Sequence, residues 1–234
     1  MRTVLMLLFW AVATPIAALL AFPWTFITRN ADFLYWCGIT IARLGMPIAG
    51  IKVRTHGLEN LDANRTYMFM SNHASNIDPP ALIPLIPRRT SVLVKKELFR
   101  IPILGQAMRI GSLVPVDRSN RERAIASLDA ATEVMKHGIN MTIFVEGTRS
   151  RTGKLLGFKK GPFYLAMQTQ VPVVPVTIAN TFQLQPPGQF AATPGKVDIY
   201  FHRPIPPEEF GESGELMAKV REAIASALPQ AVEP

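Results

Sequence analysis

Two clusters of polar residues have the types and spacing for chemistry. The first is Asn72-His73-Ala74-Ser75-Asn76-Ile77-Asp78-Pro79, with His73 and Asp78 five positions apart. A histidine that takes a proton needs its other ring nitrogen held in one tautomer, and a nearby carboxylate does that. The same residues suit a purely structural role. Asp78 before Pro79 is a good N-cap with proline at the first helical position, and His73 is then an ordinary loop histidine. The second cluster is Phe144-Val145-Glu146-Gly147-Thr148-Arg149-Ser150-Arg151. Arg149 and Arg151 carry planar donors suited to phosphate. Thr148 and Ser150 add hydroxyls, Gly147 lets the backbone turn tightly, and Glu146 is placed to aim an arginine or a substrate hydroxyl. Taken alone, this stretch is equally a polar surface turn closed by a salt bridge.

Both clusters sit where strands end. Tyr67-Met68-Phe69-Met70 reads as a buried strand before the first, and Met141 to Val145 as a strand before the second. Further strands are expected at Ile51–Arg54, Ser91–Val94, Leu113–Val116, Val173–Ile178 and Lys196–His202, with Pro115 marking an edge. Helices are expected after Asp78, after a Ser119/Glu122 capping box, from Gly161 to about Thr169, and over Glu215–Leu228. This alternation predicts an α/β fold, a mixed, largely parallel sheet covered by helices. In such sheets ligands gather at the carboxyl ends of strands. Lys95 and Arg118 also follow strands, and Lys159 and Lys160 come shortly after the second cluster. Each is ordinary solvated charge by itself; together they form a candidate anion site.

The remaining residues narrow the class. Met1 to Gly50 holds only four charged side chains, Arg2, Arg29, Asp32 and Arg43, while the whole chain carries a formal charge of +8. Val4 to Ile27 is 24 uncharged residues, enough to cross a ~30 Å hydrocarbon layer, with Pro15 and Pro23 expected to break or kink it. Ala11-Val12-Ala13 resembles a signal-peptide cleavage site, but a second apolar run, Phe33 to Ile51, follows. The two runs predict an N-terminal apolar two-helix membrane-binding hairpin over 1–50, with the α/β domain over 51–234. The alternative is that both helices simply pack on the core. Anionic lipid, phosphate or an acidic carrier suits the charge. Nucleic acid is not indicated: no basic run with interleaved aromatics is present. A metal site is not indicated either, because His56, His73, His137 and His202 are scattered and Cys37 is the only cysteine. No G-x-S-x-G elbow supports a serine hydrolase. A His–Asp pair beside an anion site can instead deprotonate a hydroxyl that the substrate supplies.

Asn72-His73-x4-Asp78-Pro79, then Glu146-Gly147-Thr148-Arg149-Ser150, then Val171-Pro172-Val173-Val174-Pro175-Val176 resemble, in order, the blocks of the H-x4-D glycerophospholipid acyltransferases. Within that family the chain is most similar to the bacterial 1-acylglycerol-3-phosphate acyltransferases. The resemblance covers roughly Ile51 to Val176. It implies acyl transfer from an acyl-CoA or acyl carrier protein thioester, as co-substrate without a further cofactor or metal, to the sn-2 hydroxyl of lysophosphatidate, giving phosphatidate. It implies His73 as general base and Asp78 as its orienting partner. Arg118, Glu146, Gly147, Thr148 and Arg149 would recognise glycerol phosphate, Lys95 the phosphate or the thioester carbonyl, and Pro172 would shape the acyl pocket. A bacterial inner (cytoplasmic) membrane location, with the site facing the cytoplasm, follows from the same resemblance. Glycerol-3-phosphate or a lyso-aminolipid are alternative acceptors. A lipid-binding peripheral membrane protein without turnover is an alternative of another class. Two departures stand out. The family block ending in the arginine runs seven residues from its glycine, whereas Gly111 to Arg118 takes eight, so either Ser112 takes the glycine's place or the strand bulges at Pro115. The family also often has proline where Val145 stands.

Overall fold

The computed structural model describes residues 1–117 and 121–228, the side chains of 121–126 excepted. Arg118 and the Ser119/Glu122 capping box therefore lie outside the described residues and side chains. Two long helices come first, α1 (Arg2–Thr28) and α2 (Asp32–Ile48). The strands are β1 (Ile51–His56), β2 (Met68–Ser71), β3 (Thr90–Lys95), β4 (Val114–Val116), β5 (Asn140–Phe144), β6 (Val173–Ala179) and β7 (Gly195–Phe201). Between and after them lie α3 (Asp78–Leu82), α4 (Leu104–Ile110), α5 (Arg121–Lys136), α6 (Gly161–Thr169), α7 (Thr181–Leu184) and α8 (Ser213–Ser226). The strands form one sheet in the order β1-β7-β6-β2-β5-β3-β4. Five of them, β6 to β4, run parallel, and β7 turns back antiparallel to β6 with β1 beside it. The expected mixed, largely parallel sheet is thus the one observed, with β4 on the edge where Pro115 lacks a donor.

Alternation along each strand divides the core into two layers. On β2, Phe69 packs with Phe144, Val174, Val176 and Ile199 on one face, while Met68 and Met70 pack with Met141, Ile143, Leu165 and Val220 on the other. Both faces are covered, so β2, β5 and β6 are buried along their whole length and read in sequence as continuous apolar runs. The helices α5, α6 and α8 supply the second layer through residues such as Ala131, Phe163, Leu165, Leu216 and Ile224.

The hairpin contributes to the first layer: Met6, Met46 and Ala49 belong to that cluster, and Trp10 packs against it. The Trp10 Nε1–H donates to Ile41 O at 3.0 Å. Its ring lies where any side chain on Gly45 would sit, since a Cβ there would come 2.3 Å from Nε1. The expected breaks at Pro15 and Pro23 are not observed. The helix runs through both, each proline removing one amide from the ladder. Most of α1 faces outward: Leu8, Val12, Ile16, Leu19, Leu20 and Phe26 are all exposed. Among the described residues it is the one helix long and apolar enough to cross a membrane.

The Gly111/Ser112 question has a geometric answer. Ser112, not Gly111, has a left-handed backbone (φ 64), the conformation that glycine takes at no steric cost. The pairing Leu93↔Val114, Val94↔Pro115, Lys95↔Val116 continues without a bulge. The backbone thus favours the first alternative: Ser112 to Arg118 is a block of seven residues, and the strand carries no bulge at Pro115.

Candidate active site

Between β2 and the start of α3 the main chain must leave the sheet, and side chains replace the lost ladder bonds. Asn72 does this first. Its Nδ2–H donates to Ile178 O (2.9 Å) and its Oδ1 accepts from Ile178 N–H (2.8 Å), so the amide side chain pairs with β6 as a backbone residue would. The next residue, His73, is clamped through its own peptide groups. Its N–H donates to Glu146 Oε1 at 2.7 Å, and its carbonyl accepts from Ser150 N–H at 2.8 Å. Both partners follow β5, which is paired in parallel with β2. Val145 extends that pairing, donating to Ser71 O at 3.0 Å, a bond that the proline often found in the family would lack.

The imidazole is held as firmly as its backbone. The His73 ring stacks on Phe144, with centroids 4.3 Å apart, and its Nδ1 lies 2.7 Å from Asp78 Oδ2. That oxygen also accepts the amides of Ala74 and Ser75, each at 2.7 Å. A carboxylate oxygen only accepts, so Nδ1 carries a proton, and in the neutral imidazole Nε2 carries the lone pair. This tautomer is the one a general base requires. Asp78 is fully buried, and its other oxygen, Oδ1, has no hydrogen-bond partner among the described residues.

Asp78 is not the helix cap that Asp78-Pro79 invites. It is the first residue of α3, no side chain caps that helix, and the carboxylate reaches back to Ala74 and Ser75. The physical reason is competition: two upstream amides and an imidazole converge on one oxygen, which a cap bond to the following turn cannot match. Glu146 is also placed differently from expectation. It aims neither an arginine nor an open hydroxyl site; Oε1 accepts from His73 and Oε2 from Leu156 N–H (2.7 Å). Burial raises its carboxyl pKa above the ordinary value, an effect partly offset by the two amide bonds. Its role in this geometry is to brace two loops.

Of the remaining predicted residues, Gly147 (φ 70) makes the turn after β5, with the stem of Lys159 lying where a side chain would begin. Arg149 donates to Asn76 Oδ1, which binds the second cluster directly to the interior of the first. Thr148 is exposed on the same turn. Lys95 ends β3, one strand beyond β5, with Nζ 3.7 Å from Glu97 Oε2. So His73, Asp78, Glu146, Gly147 and Arg149 are brought together; Thr148 and Lys95 lie on the rim. Asn72, Asn76 and Phe144 were not singled out from sequence as site residues, and Ser150, expected to offer its hydroxyl, contributes its backbone N–H to His73 O while its Oγ donates to Lys154 O. The three missed residues lie within the two motifs, which was the available signal. The amides of His73, Ala74 and Ser75 are all engaged by carboxylates, so they are not free to bind an oxyanion.

A cavity of about 240 Å3 opens beside this turn, lined by Met6, Leu7, Trp10, Met46, Ile77 and Phe190 among others. It joins the hairpin to the turn of Asn76 and Ile77 through a largely apolar wall.

Residues 52–179 match the family model described as Acyltransferase. A 1-acyl-sn-glycerol-3-phosphate acyltransferase of Limnanthes douglasii is 35% identical over 196 residues, which is 83% of this chain and 68% of that protein. The enzymes of the same name from Cocos nucifera (33%, 83% of this chain, 62% of that protein) and Saccharomyces cerevisiae (36%, 77% and 61%) are similar. The chain thus spans somewhat under two thirds of the length of these last two relatives. The crystal structure of the 1-acyl-sn-glycerophosphate acyltransferase PlsC from Thermotoga maritima superposes with a TM-score of 0.79 at 29% identity, covering 97% of this chain and 95% of that one. With the family model spanning more than half the chain and the H-x4-D and E-G-T-R blocks meeting at one pair of strand ends, this protein belongs to the acyltransferase family.

Proposed function

We propose that the protein transfers an acyl group from a thioester donor, acyl-CoA or acyl carrier protein, to the free hydroxyl of 1-acylglycerol-3-phosphate. The observation that carries this reading is the Nδ1–H bond of His73 to a buried, triply bonded carboxylate, with Arg149 tied to the same turn. Lysophosphatidate docks by its phosphate on Arg149, joined by Arg118 and Lys95. His73 Nε2 takes the hydroxyl proton as that oxygen attacks the thioester carbonyl, and Asp78 stabilises the imidazolium that forms. The tetrahedral intermediate collapses with cleavage of the C–S bond, and His73 returns the proton to the departing thiolate. No cofactor beyond the thioester co-substrate takes part. With the nearby backbone amides already engaged, the cationic rim supplies the charge that steadies the oxyanion.

The acyl chain is seated in the apolar cavity between the hairpin and Ile77. The outward apolar side chains of α1 lie in lipid, so that a two-tailed product need not leave the membrane. In a bacterium this is the inner membrane, with the site facing the cytoplasm. The test is thiol release by purified protein in mixed micelles, with a panel of acceptors. Release that depends on lysophosphatidate, and that falls to background in His73→Ala, is expected. A folded His73→Ala protein with near-normal turnover overturns the mechanism.

A further inference from the structure

A second, larger recess lies away from the catalytic turn. It is a cleft of about 490 Å3 lined by Lys96, Phe99, Arg100, Arg109, Leu113 and Pro115. Its walls come from the turn after β3, from α4 and from the start of β4. Phe99, Leu113 and Pro115 make an apolar floor, and three cations ring it. Two of these are held in place. Lys96 Nζ lies 2.5 Å from Asp117 Oδ2. Arg109 donates to Phe99 O at 3.1 Å, with its guanidinium 5.8 Å from the centre of the Phe99 ring. Arg100 is exposed at the end of the turn.

The cleft has a defined relation to His73. The strands β2, β5, β3 and β4 are successive parallel neighbours, so three steps of about 4.8 Å place β4 roughly 14 Å from β2. Lys96 directly follows the carboxyl end of β3, on the side of the sheet where His73 follows β2. The reaction needs a donor whose thioester is at His73. In acyl-CoA the thioester is joined by an extended phosphopantetheine arm to a nucleotide bearing three phosphates, and that arm covers such a span.

From the apolar floor, the three cations and this separation we infer that the cleft receives the 3′-phospho-ADP end of an acyl-CoA donor. The adenine lies on the floor of Phe99, Leu113 and Pro115, and the phosphates meet Arg100, Arg109 and Lys96. Arginine suits this task because its planar fork binds phosphate oxygens in pairs and its face accepts an aromatic ring. An acyl carrier protein presents the same arm without a nucleotide and has no use for an apolar floor. The inference rests on the thioester reading above and selects acyl-CoA within it.

The experiment has two readouts on the full chain in micelles. The first is calorimetric binding of adenosine 3′,5′-bisphosphate, which has neither thiol nor acyl group and needs no turnover. Binding is expected to weaken about tenfold in each of Arg100→Glu and Arg109→Gln. The second is the KM for palmitoyl-CoA, which rises about tenfold in each variant. That rise disappears when the donor is a short N-acetylcysteamine thioester. Wild-type protein is expected to have a higher KM for dephospho-CoA thioesters, a comparison that requires no variant to fold. Absence of bisphosphate binding, equal binding by wild type and both variants, or turnover with acyl carrier protein but not with acyl-CoA overturns the inference. Bisphosphate binding lost in the variants, in a protein that acylates nothing, supports the cleft and refutes the acyl-transfer reading. Lysophosphatidate acylation without bisphosphate binding does the reverse.

Discussion

The bonding around Asp78 predicts an unusual response to Asp78→Asn. In a serine hydrolase triad the equivalent change costs about 10⁴-fold because the histidine adopts the wrong tautomer. Here two main-chain amides, Ala74 and Ser75, point at the same oxygen as His73 Nδ1. An asparagine must place its carbonyl oxygen there, since its NH2 would face two donors. His73 Nδ1–H then keeps an acceptor and the tautomer survives. What is lost is the negative charge opposite the imidazolium. A unit charge at about 4 Å in a partly buried site is worth roughly 4 kcal/mol, and the remaining neutral bond recovers about 1 kcal/mol. The expected fall in kcat is therefore about 3 kcal/mol, or roughly 10²-fold, between wild type and the floor set by His73→Ala. Thiol release at saturating lysophosphatidate measures it. The new NH2 occupies the site of Oδ1, which has no partner among the described residues, so a stability loss of about 1–3 kcal/mol accompanies the change. A kcat within twofold of wild type refutes the charge argument, and one as low as His73→Ala refutes the claim that the amides fix the tautomer.

Asn72→Ala leaves both peptide groups of Ile178 without their present partners in a buried setting, so denaturant unfolding should show a loss of about 2–4 kcal/mol; a loss under about 0.5 kcal/mol sinks the ladder argument. Glu146 makes a pH signature: its folded-state pKa is raised by burial. Its contribution is therefore fully present below the ordinary glutamate pKa and is lost as pH rises through the folded value. Relative to Glu146→Gln, wild-type protein should lose stability as pH is raised from 4 towards neutrality at about constant ionic strength, and parallel profiles for the two proteins count against the assignment. Filling the hairpin cavity with Ala192→Leu, at a buried lining position, should move donor preference to shorter acyl chains by about fourfold per excluded methylene; an unchanged chain-length profile places the acyl group elsewhere.

Much of the scaffold is legible in the sequence. Strands buried on both faces, such as Met68–Ser71 and Val173–Ala179, show as unbroken apolar runs, and helices such as α6 show through Gly161-Pro162 at their start. Short elements were not legible: α4 and α7 span too few residues for a helical period to register. The prolines do not end α1 because each removes one bond and adds one clash, whereas the remaining ladder of a 27-residue helix is kept and the helix pairs with α2.

By itself the sequence determined which groups were available: a histidine, two carboxylates, an arginine turn, a basic rim and an apolar hairpin, in an order that resembles one enzyme family. It also determined that both motifs follow strands. Only the tertiary structure decided what those groups do. The strand order puts β5 next to β2, so Glu146 and Ser150 reach His73 across 73 and 77 positions of chain. Asp78 turns back from the helix it begins because three donors converge on one oxygen, and Ser112 takes a left-handed conformation that glycine would take freely. Hydrogen-bond direction and strand adjacency depend on atoms distant in sequence, and no local pattern carries them.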